Sequence, residues 1–152
     1  MEIFTETLTD ETARQIARIQ REYLFDNSDE NAVKAGAQSG ILFFVEFDGQ
    51  KNVVNFCSAR QIFEELEIYD LATVYEYQNR GIAKKTVCEV LAYAQKNGVK
   101  KVYLEVRESN QKAINLYSNL GFEKYALRKN YYAAAKNGTK NAENAVCMSK
   151  EI

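Results

Sequence analysis

Residues 66–107 read as a strand, a helix and a second strand, and no other feature of the chain restricts its fold as much. "LEIYDLATV" has the length and β-branched, aromatic content of a strand. "GIAKKTVCEVLAYAQKNG" repeats Ile82, Val87, Val90, Leu91 and Ala94 at helical spacing, with Gly98 placed to end the helix. "KKVYLEVR" then returns to alternation. Strands joined through a helix lie parallel, since a tight turn reverses the chain and a crossover does not. Residues 66–74, 81–97 and 101–107 therefore form one crossover unit.

Around it the chain asks for antiparallel pairing. "ILFFVEFDGQKNVVNFCSARQIF" reads as two strands joined around Asp48-Gly49, a hairpin signal. "FEKYALR" and "AVCMSKE" read as strands separated by "NYYAAAKNGTKNAEN", expected to be mostly loop. "MEIFTETL" alternates weakly and supplies a first strand. "TDETARQIARIQREYL" places Ala13, Ile16, Ala17, Ile19 and Leu24 on one helical face, with Asp10 as cap; "SDENAVKAGAQS" suggests a second helix capped by Ser28. "SNQKAINLYSNLG" is a short capped helix ended by Gly121. The order β-α-α-β-β-β-α-β-α-β-β defines an α/β (α+β) fold: a mixed central sheet of about six to seven strands with helices on both faces. The 152 residues suit a single domain, 1–152.

Composition narrows the function classes. With 46% hydrophobic and 12% aromatic residues the chain has the material for a core. A formal net charge of −1 gives no global field toward nucleic acid or an anionic membrane, and apolar runs such as "ILFFV" are too short to span a bilayer. The start lacks a basic, apolar and small-residue leader pattern, so a cytoplasmic location is expected. The chain has no histidine, which removes histidine-based nucleophilic triads and most zinc sites, and no metal is expected. Cys57, Cys88 and Cys147 are far apart and read as free thiols of a reducing compartment.

"YQNRGIAKK" joins the strand to the long helix. Gly81 and Ala83 leave backbone N–H groups uncovered at a helix N-terminus, where partial positive charge favours an anion such as phosphate. Arg80, Lys84 and Lys85 add cationic charge. The alternative is a permissive glycine turn beside a solvated basic face, and composition leaves both open. Neither GxxxxGK[ST] nor GxGxxG after a strand is present.

"QNRGIA" at 78–83 matches the [QR]-x-x-G-x-[GA] loop of the GNAT-superfamily N-acetyltransferases. "LEVRESNQKAINLYSNLGF" at 104–122 and "RKNYY" at 128–132 resemble the bacterial ribosomal-protein alanine N-acetyltransferases (RimI-like) within it. The resemblance implies an acetyl-CoA-dependent transferase acting on a primary amine by direct attack in a ternary complex. It implies that the backbone of Leu71, Ala72 and Thr73 holds the acetyl-pantetheine arm. Gln78, Asn79, Arg80, Gly81, Ile82 and Ala83 bind the pyrophosphate, and Asn110 bonds the pantetheine end. Glu105 is implied as general base through water, Tyr117 as general acid, and Tyr131 or Tyr132 as lining for the acceptor cleft. A protein N-terminus is the implied acceptor, with a small-molecule amine (polyamine or antibiotic) or a non-catalytic CoA-binding sensor as alternatives. The assembly is expected to be a monomer or homodimer. The chain departs from its relatives in having no proline before the loop or after "NYY", and its cofactor strand reads "YDLAT".

The residue types suit the chemistry. An α-amine titrates near 7.7–8.0, whereas a lysine ε-amine costs roughly 3.5 kcal/mol more to deprotonate at the same pH, which favours an α-amine if Glu105 is the base. A phenol passes its proton to a thiolate at a cost of about 2 kcal/mol. Alternation puts Tyr103, Glu105 and Arg107 on one strand face and Val102, Leu104 and Val106 on the other. Bland readings stand beside each role: Glu105 as a surface carboxylate paired with a neighbouring Lys or Arg, Tyr117 as core packing, Asn110 as a helix cap, and Tyr131-Tyr132 as an aromatic plug. Asp70 is an alternative base, but simple alternation sets it opposite Tyr69, Leu71 and Thr73 and ranks it below Glu105.

Overall fold

The computed structural model describes residues 1–133 and 142–152. One seven-stranded sheet runs through them, in the order β1-β2-β3-β4-β5-β7-β6. The strands are β1 (Glu2–Phe4), β2 (Ile41–Phe47), β3 (Val53–Ile62), β4 (Glu65–Thr73), β5 (Lys101–Arg107), β6 (Glu123–Tyr132) and β7 (Glu143–Glu151). The helices are α1 (Asp10–Ile19), α2 (Glu30–Gln38), α3 (Ile82–Lys96) and α4 (Gln111–Asn119). Among the described residues only β4 and β5 pair in parallel, across the α3 crossover.

Two helices begin one residue away from the expected cap. Thr9 caps α1, accepting from the Thr12 N–H at 3.1 Å, which leaves Asp10 inside the first turn beside Glu11. There its charge still favours the helix dipole. Asp29 caps α2, because the Ser28 hydroxyl is already spent on Asp26 at 2.8 Å. Past α1 the chain continues as a π-helical turn, Gln20–Leu24, closed by Phe25 at φ 57°. The β2–β3 turn is held by the Asp48 carboxylate, which accepts from the backbone N–H groups of Gln50 and Asn52. Residues Asn130–Tyr132, expected in a loop, extend β6, and Glu143–Asn144 extend β7; of the remainder of that expected loop, 134–141 lies outside the described residues.

The sheet has a core on each face. Leu66, Ile68, Val102, Leu104 and Met148 meet Val87, Val90 and Ala94 of α3 on one face. Phe43, Val45, Phe56 and Ala72 meet Ile16 and Ile19 of α1 on the other. Fully burying a side chain of this size contributes about 1.5–3 kcal/mol, so these two layers hold the sheet in place. Val102, Leu104 and Val106 are buried and Tyr103, Glu105 and Arg107 are not, as alternation requires.

Strand β4 breaks that alternation. Ser58 opposes Asp70 while Ala59 opposes Ile68, so Tyr69 is an extra residue in a β-bulge. Ile68 and Leu71 both pack on the α3 face as a result, and Tyr69 and Asp70 both line a cavity on the α1–α2 face. The simple alternation that separated Asp70 from Tyr69 is therefore wrong. The parallel ladder ends at the same level: β4 and β5 pair from Glu65–Lys101 to Ile68–Leu104. Beyond it β4 follows β3 to Thr73, and β5 follows β7 to Arg107. The two strands part, and the sheet has a gap in its middle.

Candidate active site

A cavity of about 420 Å³ lies along that gap on the α3–α4 side. Every residue expected to hold the donor lines it except Arg80: Leu71, Ala72 and Thr73 from β4, Gln78 to Ala83 from the loop and helix start, and Asn110. The Arg80 guanidinium instead sits over the Tyr77 ring, 5.0 Å from its centroid. The loop reaches its shape through two left-handed residues, Asn79 at φ 60° and Gly81 at φ 76°. A Cβ built on Gly81 meets no protein atom within 4 Å, so the loop leaves open space at that point for a ligand.

The start of α3 differs from the other helix starts. Side chains cap α1, α2 and α4, the last through Asn110, whose Oδ1 accepts from the Ala113 N–H at 3.1 Å. Helix α3 has no side-chain cap and no acidic residue in its first turn. Its orphan N–H groups face the cavity with the dipole behind them, which suits a diphosphate. Lys84 and Lys112 line the same cavity, and Lys112 ties α4 to the loop by donating to Asn79 Oδ1 at 2.7 Å. Lys85, expected to join them, is engaged by Glu46 at 2.9 Å.

A buried network fixes α3 against the sheet. Asn55 Nδ2 donates to Ala72 O and to Thr73 Oγ1, and the Thr86 hydroxyl donates to Asn55 Oδ1 at 2.6 Å. Gln78 Nε2 donates to Thr73 O. Asn55 and Thr86 are fully buried, and their role escaped the sequence reading because polar residues in "VVNFC" and "KKTVC" carry no motif.

Glu105 stands on the other side of the sheet, where β5 leaves β4. It lines a cavity of about 230 Å³ with Glu67, Tyr69, Tyr103, Tyr125 and Arg128. Its carboxylate is 3.0 Å from Arg128 Nε, which reaches over β7 from β6. The bland expectation of a cross-strand ion pair is thus realised in geometry, although Glu105 is much less exposed than a surface pair (15%). Interaction with the Glu105 carboxylate raises the Tyr131 phenol above its ordinary pKa. Burial, and then the Glu105 charge, push Tyr132 up to about 12. The rings of Tyr131 and Tyr132 meet edge to face at 5.1 Å, and Arg107 lies 4.3 Å over Tyr132. Burial raises Glu67 too, helped by Glu105 and opposed by Arg128. Sequence reasoning missed Glu67 and Arg128, which come together with Glu105 only through strand register.

Tyr117 is not brought to Glu105. It is 5% exposed, packs edge to face on Phe122 at 5.6 Å and lines neither cavity. Burial pushes its phenol well above the ordinary tyrosine range, with Cys57, Tyr132 and Asp70 adding to the shift. Such a phenol keeps its proton at any working pH, and gives it up at a higher cost than an exposed one. Asp70, set aside by alternation, accepts from the Ser58 hydroxyl at 2.7 Å and from Gln20 Nε2 at 3.2 Å.

A parted β4–β5 pair with an uncapped, glycine-entered helix beside it fits a ligand that carries an anion on a slender arm, and the comparisons supply the family. The acetyltransferase (GNAT) family model matches residues 2–122, and the chain belongs to that family. The bS18-alanine N-acetyltransferase of Haemophilus ducreyi is 32% identical over 105 residues, covering 69% of this chain and 70% of the relative. That of Escherichia coli is 28% identical over 133 residues, covering 88% and 86%. The crystal structure of the Escherichia coli ribosomal-protein-S18-alanine N-acetyltransferase superposes with a TM-score of 0.83 at 24% identity, over 99% of this chain and 94% of that one. Ard1 from Thermoplasma volcanium gives 0.81 at 19% identity, over 100% and 99%. The chain is an acetyl-CoA-dependent N-acetyltransferase. Among the described residues no helix is long and apolar enough to cross a membrane, and no group of three His, Cys, Asp or Glu side chains is placed to hold a metal.

Proposed function

We propose that residues 1–152 act as one catalytic domain that acetylates the α-amine of a protein N-terminus by direct attack within a ternary complex. The observation that carries the reading is the pair of cavities on opposite sides of the parted strands, one built for a diphosphate-bearing donor and the other lined by carboxylates. Acetyl-CoA supplies an activated acetyl thioester. In this reading the N–H groups at the start of α3, with Lys84 and Lys112, hold its diphosphate. Leu71, Ala72 and Thr73 offer main-chain groups to its arm, which Asn110 meets at the start of α4. Glu105 removes the proton released by the amine, directly or through one water, and Arg128 holds its carboxylate in place. Tyr131 and Tyr132 wall the acceptor, and Tyr117 is assigned the leaving-side proton although it lines neither cavity, a role that Tyr117→Phe tests: an unchanged kcat would leave the residue to packing on Phe122 alone. Direct attack suits the thiols: burial raises Cys57 and Cys147 above their ordinary pKa, so neither is predisposed to be a nucleophile. We place this work in the cytosol, where Cys57, Cys88 and Cys147 stay free. No metal takes part.

The test is acetyl-CoA turnover with peptides that begin with alanine and carry a free or a blocked α-amine. The expected result is acetylation of the free peptide alone. Turnover of spermidine or an aminoglycoside with no acetylated peptide would replace this acceptor, and acetyl-CoA binding without turnover on any amine would replace catalysis by sensing.

A further inference from the structure

An ammonium that becomes an amide loses two protons from its nitrogen. R–NH3⁺ and an acetyl thioester yield an amide, a thiol and one proton, so sulfur gains one and solvent the other. A single carboxylate takes one proton at a time, and Glu105 already lies 3.0 Å from Arg128 Nε. The same cavity holds a second carboxylate, Glu67, on the neighbouring strand. In the parallel ladder Glu67 stands beside Tyr103, and Glu105 is the next residue of β5 on that face. Glu105 thus has Arg128 toward β6 and Glu67 toward β4.

Two arginines line the cavity with Glu67, and each is held by another group. Arg60 of β3 is its cross-strand partner, yet the Arg60 guanidinium donates to the Ser39 carbonyl at 3.2 Å. Arg128 of β6 pairs with Glu105. The polar neighbours on β4 and β5 are also engaged: the Tyr103 hydroxyl donates to Glu65 at 3.2 Å. Tyr125 of β6 sets its ring edge to face against Tyr103 at 6.1 Å, and Tyr69 completes the wall from the bulge. Glu67 is open to solvent on one side, whereas the Glu105 side chain is 15% exposed. Partial burial and the Glu105 charge raise the Glu67 carboxyl and Arg128 opposes them, so both neighbours are within electrostatic reach of it.

We propose that Glu67 is a second proton acceptor of the transfer, taking the first proton from the bound ammonium while Glu105 takes the second. In the first step an N–H bond breaks, its electron pair stays on nitrogen, and the proton goes to a Glu67 oxygen, directly or through one water. In the second, the nitrogen pair forms the C–N bond and the carbonyl π pair moves to oxygen. The nitrogen's surplus proton then passes to Glu105. Collapse of the tetrahedral intermediate restores the carbonyl and breaks the C–S bond, and the sulfur ends protonated. The division of labour follows exposure. Glu67, open to solvent, discharges its proton to water; Glu105, enclosed and held by Arg128, stays aimed at the reacting nitrogen. The inference rests on the amine-acetylating reading above, with Glu105 as base, and adds a residue which that reading does not use.

The pH profile of kcat/KM tests it, measured at saturating acetyl-CoA with a peptide that begins with alanine. Its α-amine titrates near 7.7–8.0. With two carboxylates the charged peptide is the species used, and the profile of the unmutated chain stays level below that pKa. With one carboxylate only neutral peptide reacts, and kcat/KM falls about tenfold per pH unit there. That slope in the unmutated chain overturns the proposal. Glu67→Gln should acquire it, losing about 20-fold at pH 6.5 and little at pH 9, from the neutral fraction of such an amine. Glu67→Asp should keep the level profile. An equal loss at every pH in Glu67→Gln would make the residue structural and the proposal wrong. A second measurement needs no turnover: the side-chain carboxyl ¹³C shift of Glu67 is followed against pH in the unmutated chain and in Glu105→Gln. Glu67 should titrate above an ordinary glutamate, and lower in the variant. An ordinary titration, indifferent to Glu105, puts the two carboxylates out of reach of each other and sinks the inference. Should Glu67→Gln not fold, the profile and titration of the unmutated chain still decide. If spermidine is acetylated and the peptide is not, the N-terminal reading fails, and the same comparison on spermidine decides this one. If neither is acetylated, both fall.

Discussion

On the α3–α4 side of the gap, the donor of the proposed reading meets main-chain N–H and C=O groups, a left-handed glycine and a helix start left without a cap. On the other side, the acceptor of the proposed reading meets side chains: Glu105, Glu67 and Arg128 line that cavity. A surface of backbone demands small residues and a fixed spacing and is indifferent to much else. A surface of side chains depends on which strand faces which, and a single bulge rearranges it. The donor side is thus suited to one constant ligand and the acceptor side to a variable one.

The largest expected effect strikes the acceptor side alone. Glu105→Gln should lower kcat by about 10²- to 10⁴-fold, the range for losing a general base. The rise in Tm on adding acetyl-CoA should stay as it is, and unchanged turnover would remove Glu105 from the chemistry. Gly81→Val should do the reverse, weakening acetyl-CoA on the order of tenfold or more, since its β-carbon enters space kept for the ligand. It should also cost about 1–2 kcal/mol of stability from the left-handed backbone at φ 76°. A full cofactor-induced Tm shift in that variant would break the contrast.

Caps sharpen the comparison at smaller scale. Asn110→Ala and Asp29→Ala should each lower stability by about 1 kcal/mol in denaturant titrations, as the loss of a cap does. Only Asn110→Ala should also weaken acetyl-CoA, because only that cap lines the donor cavity. Equal binding in both would leave Asn110 a purely structural residue. The last effect is a slope. Burial raises the Asp70 carboxyl, so as pH climbs from its ordinary value of 3.8 the unfolded chain releases the proton first. The folded state then holds more protons, and Asp70's contribution to stability falls with rising pH until the folded group ionises too. Asp70→Asn should remove that slope and raise Tm at neutral pH; a lower neutral-pH Tm would mean the charge is compensated in the fold.

The same contrast explains what was legible in the sequence. The crossover of β4, α3 and β5 was readable because its periods are long and uninterrupted, and the loop at 78–83 because a backbone cradle leaves a spaced glycine signature. The caps of α1 and α2 slipped by one residue, since Thr9 and Asp10, or Ser28 and Asp29, are equally able to cap and only hydrogen-bond competition decides. The face of Asp70 relative to Tyr69 was misread because nothing in "EIYDLA" announces an inserted residue at Tyr69. Arg128 and Glu67 meet Glu105 from strands far apart in sequence, and no local pattern encodes their meeting. Tyr117 was read from its motif, and its burial against Phe122 is a property of packing that the motif does not carry.

The parting of β4 from β5 after Ile68 and Leu104 gives the sheet a free strand edge that solvent-side neighbours cannot reach. Free edges at the rim of a sheet invite other polypeptides to add on, with the risk of aggregation. This one is flanked by its own sheet on both sides, and a full strand bearing side chains is too thick to slide in. A slender molecule with amide groups at peptide-like spacing is not. The fold therefore offers a rung-by-rung hydrogen-bonding template to a ligand while withholding it from other chains, and protection of the Leu71 and Thr73 amides from deuterium exchange should report how fully the template is filled.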